Sequence, residues 1–280
     1  MSVAGWLAAL AVGLLAGAVS GLVGIGGGAV MVPFLYYFLA NAGLAAVAIP
    51  PEHQAVIAHA TSLLVIVPIS VRGAFLYSRA GLVEWGAVWR MGIASVFTAV
   101  LGARTAVVVP GELLKLVFGT FLIVIATRLL RGKKGSEEET EPATAEMHNG
   151  RAIAGGAAVG FFSALLGVGG GLVAIPVLIY GLHVNMRKVT GTSLALITFT
   201  ALTGVLAYAI SGVHDYGAVA HYFHLPAALA LAVGALVAVP LGAAAQMKMP
   251  TRSLRYMFAV VFLLLGLRIL MTNLIGLLGR

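Results

Sequence analysis

Few residues in this chain could make or break bonds, and most of those sit where helices should begin. The sequence holds nine carboxylates in 280 residues. Five of them, Glu137, Glu138, Glu139, Glu141 and Glu146, crowd into one polar stretch. The other four, Glu52, Glu84, Glu112 and Asp215, stand at the starts of predicted helices, where capping and the helix dipole explain them. There is no cysteine, which excludes thiolate metal sites, disulfides and thiol nucleophiles. The cluster His214-Asp215-x5-His221-xx-His224 lies beside aromatic residues at a helix flank and reads as an interfacial belt, not a metal site. No set of nucleophile, base and acid converges, so a membrane-embedded enzyme lacks its machinery. No cofactor and no metal are expected.

What remains is a chemistry of neutral hydrogen-bond donors. Residues 13–38 contain Gly24-Ile-Gly26-Gly27-Gly28, and residues 156–181 contain Gly167-Val-Gly169-Gly170-Gly171. At an offset of 143, Ser20 falls on Ser163 and Pro33 on Pro176 as well. Each glycine costs a helix about 1 kcal/mol, so both runs predict a break inside an apolar segment. Such breaks are tolerated only where protein or a cavity surrounds the freed backbone. A matched pair of them points to a transporter substrate site. Backbone N–H groups and helix N-termini at Gly24, Gly26, Gly27, Gly28, Gly167, Gly169, Gly170 and Gly171 would hold an anion, with Ser20 and Ser163 adding hydroxyls. The bland alternative is close helix packing, which the spacing Gly13-xxx-Gly17-xxx-Gly21 serves in any case.

A second pair of motifs lies downstream. Thr61-Ser62-Leu63 matches Thr192-Ser193-Leu194 at an offset of 131. These four hydroxyls either bind the same anion or bond back to helix carbonyls. His59 lies within a helix near the first break, with Thr190 at its repeat position. It carries a proton, complements an anion or simply packs. Arg72 and Arg104 lack basic repeat mates and are candidates for drawing an anion towards the site.

Those motifs need elements to position them. The chain is 61% hydrophobic and 9% charged, with a mean hydropathy of +1.05, a composition found only in multi-pass membrane proteins. Apolar runs of about 20 residues, enough to span a bilayer, recur throughout. The net charge of +8 comes from Lys and Arg at segment ends, not from a nucleic-acid footprint. The first segment lacks a basic n-region and its glycine motif recurs mid-chain, so it is not read as a cleaved leader. Helices are expected at about 53–77, 84–108, 112–130, 187–210, 219–245 and 251–275, beside the broken segments 3–40 and 152–183. The division is a membrane repeat over 1–131, a polar linker over 132–150 and a second repeat over 151–280.

Charge settles the expected orientation. If the chain reverses at each break, the halves are inverted, and thirteen of the seventeen Lys and Arg residues share one face. The positive-inside rule then places the linker in the cytoplasm and both termini outside. Parallel copies would divide the charges almost evenly.

The doubled Gly-x-Gly-Gly-Gly with its proline, the Thr-Ser-Leu pair and the turns Gly81–Trp85 and Gly212–Tyr216 resemble the TauE/SafE family of sulfite exporters and sulfonate permeases. The likeness covers the chain except its linker. It implies an all-α inner-membrane permease for a sulfur-containing anion such as sulfite, sulfoacetate, thiosulfate or another organosulfonate. With no nucleotide-binding motif, a gradient-driven secondary carrier is expected; a passive anion channel is the alternative. The expected partners are that anion and the lipid bilayer, with no nucleic acid, and a homo-oligomer is left open.

Overall fold

The computed structural model describes residues 1–45, 49–105, 149–166, 169–211, 219–220 and 222–278, with short pieces between 120 and 131. In chain order the helices are α1 (Val3–Val23), α2 (Gly28–Ala40), the single turn α3 (Ala42–Ala45), α4 (Pro51–Arg79), α5 (Trp85–Thr105), α6 (Asn149–Leu166), α7 (Gly171–Gly181), α8 (Met186–Ser211), α9 (Leu225–Lys248) and α10 (Thr251–Leu278). Five are long and apolar enough to cross a bilayer: α1, α5, α9 and the main parts of α4 and α8. The bundle exposes apolar side chains outside and buries a few polar ones within its apolar core. Ile93, Phe97, Leu229 and Leu241 are exposed, whereas Ser20, Ser62, Ser163 and Thr200 are wholly buried. A bilayer accepts the former, and the latter require protein around them.

Both broken segments fold back. Gly27 lies against Ala16, about two turns before the end of α1, and Gly5 near the start of α1 lies against Leu44 beyond α2. In the second half Gly170 lies against Val159 and Ser163, and Gly155 against Val177. The Gly27–Ala16 and Gly170–Val159 contacts are the same up to the 143-residue offset, so the two breaks turn back in the same way.

Glycine stripes set the closest helix approaches. Gly13, Gly17 and Gly21 of α1 pack in order on the backbone at Leu231, Ala235 and Val239 of α9. Gly156 and Gly160 of α6 pack likewise on Met91 and Ser95 of α5. No side chain fits between these backbones, which is what small-residue stripes provide in a membrane. Each hairpin therefore packs mainly on the third long helix of the other half. Between them α4 and α8 cross antiparallel, since Gly73 meets Leu194 and Gly204 meets Leu63.

Two boundaries differ from expectation. α9 begins at Leu225, not near 219, because Val219–Ala220 and Phe223–His224 form a two-residue antiparallel pair just before it. Pro226 in the first turn suits that late start, since its missing N–H is not needed there. The breaks are also shorter than the glycine runs. Gly28 and Gly171 are the first residues of α2 and α7, while Gly24, Gly26, Gly27, Gly169 and Gly170 hold φ between 78 and 82°. The expected segment 112–130 falls mostly outside the described residues, as does the linker 132–150 except for Asn149 and Gly150, which already belong to α6.

Candidate functional site

The two breaks touch. A Cβ on Gly171 would lie 2.6 Å from Cα of Ile25 and 2.8 Å from the carbonyl oxygen of Gly24. Gly26 and Gly169 both face the same two side chains, Ile66 of α4 and Ile197 of α8. These isoleucines are repeat mates at the 131 offset and are fully buried. The centre of the molecule is thus two left-handed glycines and two isoleucines. Left-handed φ is cheap only for glycine, so the chain can reverse here without side chains filling the gap.

Each return helix starts with bare amides. Gly27 and Gly170 occupy the N-cap positions of α2 and α7, and neither has a side chain to cap with. The helical ladder opens with Val30 and Met31 N–H donating to Gly27 O, and with Val173 and Ala174 N–H donating to Gly170 O. The N–H groups of Gly28, Ala29, Gly171 and Leu172 precede that ladder, at the positive end of each helix. Three fully buried serine hydroxyls, Ser20, Ser62 and Ser163, have no hydrogen-bond partner among the described residues. Ser163 lies beside Gly170.

Matching positions on α4 and α8 flank the breaks: Ile66 and Ile197 face both Gly26 and Gly169, and Thr190 lies against Gly24. Ser193 Oγ donates to Gly24 O at 2.8 Å, and Thr200 Oγ1 to Gly169 O at 3.2 Å. His59 Nε2 and the Tyr36 hydroxyl are 2.6 Å apart.

The threonines of the Thr-Ser-Leu motifs hold the two ends of the bundle. Thr192 Oγ1 donates to Lys188 O and accepts the N–H of Glu84 at 2.9 Å, just ahead of α5. Thr61 Oγ1 accepts the N–H of His224 at 3.0 Å, just ahead of α9. Tyr77 OH donates to Gly21 O at 2.7 Å, and its mate Tyr208 OH to Ala164 O at 3.4 Å. His224 is buried. Its Nδ1 accepts from Ala227 N–H, which leaves Nε2–H to donate to Ala45 O at 3.2 Å. Burial pushes its pKa down and keeps the ring neutral.

Of the residues singled out in the sequence, Gly24, Gly26, Gly27, Gly28, Gly169, Gly170 and Gly171 form the breaks, with Ser163 beside Gly170, Ser193 bonded to Gly24 O and Ser20 O accepting the Gly24 N–H; Ser62 is buried in α4 and His59 pairs with Tyr36 of α2. Thr61 and Thr192 sit further out, with their oxygens engaged between helices. Arg72 and Arg104 are exposed on the outer surface and do not reach the centre. Gly167, His214, Asp215 and His221 lie outside the described residues. Sequence reading missed Tyr77, Tyr208, Ile66 and Ile197, although the 131 offset connects each pair. It also missed Gln246, which has no like residue in the first half and so gave no repeat signal.

Comparison with known proteins agrees with this arrangement. The model of the family described as sulfite exporter TauE/SafE matches residues 9–269. The chain belongs to the TauE/SafE family. A probable membrane transporter protein of Methanocaldococcus jannaschii is 27% identical over 93% of both chains. The probable membrane transporter protein YunE of Bacillus subtilis is 28% identical, covering 92% of this chain and 94% of its own. A third, from Haemophilus influenzae, is 26% identical over 93% and 96%. No solved structure matches. This TauE/SafE protein is accordingly a multi-pass membrane transporter.

Proposed function

We propose that this TauE/SafE protein is a secondary carrier for a small sulfur-containing anion such as sulfite, thiosulfate, sulfoacetate or another organosulfonate. The observation that carries the reading is the meeting of two glycine-capped helix starts with buried, unpartnered serine hydroxyls near them, Ser163 beside Gly170 and Ser20 one turn before Gly24. Oxyanions need several donors, and neutral donors bind loosely enough to release. A hydrogen bond to a charged ligand contributes about 1.5–3 kcal/mol net. Three or four of them give micromolar to millimolar affinity after association costs. Movement of the two hairpins against the central α4–α8 pair would expose the site to each face in turn. Thr61 and Thr192 would act at the rims, His59 in the approach, and Arg72 and Arg104 only as distant charges.

In this reading the halves 1–131 and 151–280 cross an inner membrane with opposite orientation, and the linker is cytoplasmic. The antiparallel contact of the equivalent helices α4 and α8 supports inversion, because parallel copies would bring them together in parallel. The thirteen-to-four charge split supports the cytoplasmic linker. Reporter fusions in the linker and at the C-terminus should give opposite signals.

The deciding experiment is thermal stabilisation of the purified protein by sulfite, thiosulfate, sulfoacetate, taurine and sulfate, since a ligand that binds only the native state raises its melting temperature. One or more of the first three should stabilise, and Ser20→Ala, Ser62→Ala and Ser163→Ala should each weaken that effect roughly tenfold in concentration, equivalent to about 1.4 kcal/mol. Stabilisation by none, or unchanged in all three variants, removes the serine–amide site. Counterflow of labelled anion in liposomes separates a carrier from a channel.

A further inference from the structure

The break in the first half has a second chemical end. α2 begins with bare N–H groups, but α1 finishes with carbonyl oxygens at the negative end of its dipole. Gly24 terminates α1 in the left-handed conformation, and its own oxygen accepts from Ser193. Thr190 lies directly against it, with its carbonyl oxygen 2.9 Å from where a Gly24 Cβ would be. Gln246 of α9 reaches the same place and donates from Nε2 to Thr190 Oγ1 at 3.3 Å. Its Oε1 has no partner among the described residues, although Gln246 is only 1% exposed and Thr190 and Ser193 are wholly buried. Turning the amide over would merely leave its nitrogen bare instead. An amide oxygen abandoned in an apolar interior is costly, so something ought to sit on it.

The composition of this cluster selects the ligand. Apart from the Gln246 Nε2 that donates to Thr190, its polar groups are neutral oxygens of carbonyls, hydroxyls and an amide, and none titrates near neutral pH. That excludes a proton as the bound species and disfavours an anion. Hard oxygens around a helix C-terminal end suit a small monovalent cation. We propose that Gly24 O, Thr190, Ser193 and Gln246 form a sodium site in this protein. The site is single. In the other half the places of Thr190 and Gln246 are taken by His59 and Ala106, which cannot supply the same oxygens.

The position links the cation to transport. Gly24 O also lies against Gly171, the first residue of α7, whose amide belongs to the anion site proposed above. A cation drawn onto Gly24 O sets how the first break meets the second, and so couples sodium binding to anion binding. The coupling rests on the carrier reading; the sodium site does not.

The test therefore uses sodium alone. Purified full-length protein is melted in NaCl, KCl or choline chloride at constant ionic strength, without sulfite or thiosulfate. NaCl should raise the melting temperature saturably by about 2–4 °C over choline. Gln246→Leu and Thr190→Val should gain nothing from sodium relative to their own melting temperatures in choline. If one of them does not fold, the other carries the comparison. Equal melting in NaCl and choline, an undiminished sodium effect in either variant, or equal stabilisation by KCl would overturn the assignment. Adding thiosulfate or sulfite in choline tests the anion site separately, so loss of one reading leaves the other standing.

Discussion

The two ends of the helix bundle use one backbone device with different chemistry around it. At one end Thr192 holds the N–H of Glu84; at the other Thr61 holds the N–H of His224. The former is wet: the Glu84 carboxylate reaches out to Lys188 at 2.9 Å, and about a third of each side chain is exposed (35% and 38%). The latter is dry, because His224 is fully buried with its ring edge-on to Phe38 and bonded to Ala45 O. Duplication supplied the threonine latch twice, and divergence made one copy cheap to open and the other expensive. A carrier that must open to two different faces gains from that inequality.

The largest effects should fall where the halves are still alike. Gly27 and Gly170 hold φ of 79 and 78°, and an added Cβ would meet Ala16 O at 3.1 Å in one case and Ser163 Cβ at 2.9 Å in the other. Left-handed strain alone costs about 1–3 kcal/mol, and a β-branched residue adds crowding. Gly27→Val and Gly170→Val should each abolish anion transport in proteoliposomes while the protein still inserts. Full activity in one of them would show that the two breaks do not share a role.

The latches should then separate. Thr61→Val strands a buried N–H, at a cost of about 1–3 kcal/mol. Thr192→Val strands the N–H of half-buried Glu84, which water can reach, and should cost no more than about 1 kcal/mol. Melting temperatures of both variants decide it; equal losses would erase the distinction between a wet and a dry end.

Acid should also tell the ends apart. The folded pKa of His224 lies below its ordinary value of 6.5 because burial disfavours the charged ring. The unfolded chain therefore binds the extra proton first, so stability is complete above about pH 6.5 and falls as pH drops below it. The slope approaches about 1.4 kcal/mol per pH unit. Wild type should lose melting temperature between pH 6.5 and 5.5, and His224→Gln should lose clearly less. An unchanged slope in the variant would place the acid sensitivity elsewhere.

The smallest effect belongs to the exposed ion pair. Lys188→Met should cost at most about 1 kcal/mol, because solvent screens a pair that open to water. High salt should reduce the difference from wild type further. A loss larger than that of Thr61→Val would reverse the assignment of the cheap end.

Much of this was legible in the residues themselves. Composition requires a membrane fold, and glycine triplets in apolar runs require breaks, because local helix propensity and lipid solvation act on any chain regardless of its partners. The duplicated offsets identified both hairpins and the Thr-Ser-Leu pair. What the sequence could not supply was who meets whom across the halves. Glu84 seemed to match Asp215, yet its structural counterpart is His224, nine residues later, because the third long helix of the second half starts late. Arg72 and Arg104 lie in apolar context in the chain but face outward in the bundle, and hydropathy alone cannot say which side of a helix is lined by protein. Gln246 acquires its meaning only when α9 packs on α1 and brings it to Thr190 and the end of α1, 56 residues away from Thr190 in the chain. Local preference is written residue by residue, whereas burial and pairing arise only when distant helices close on one another.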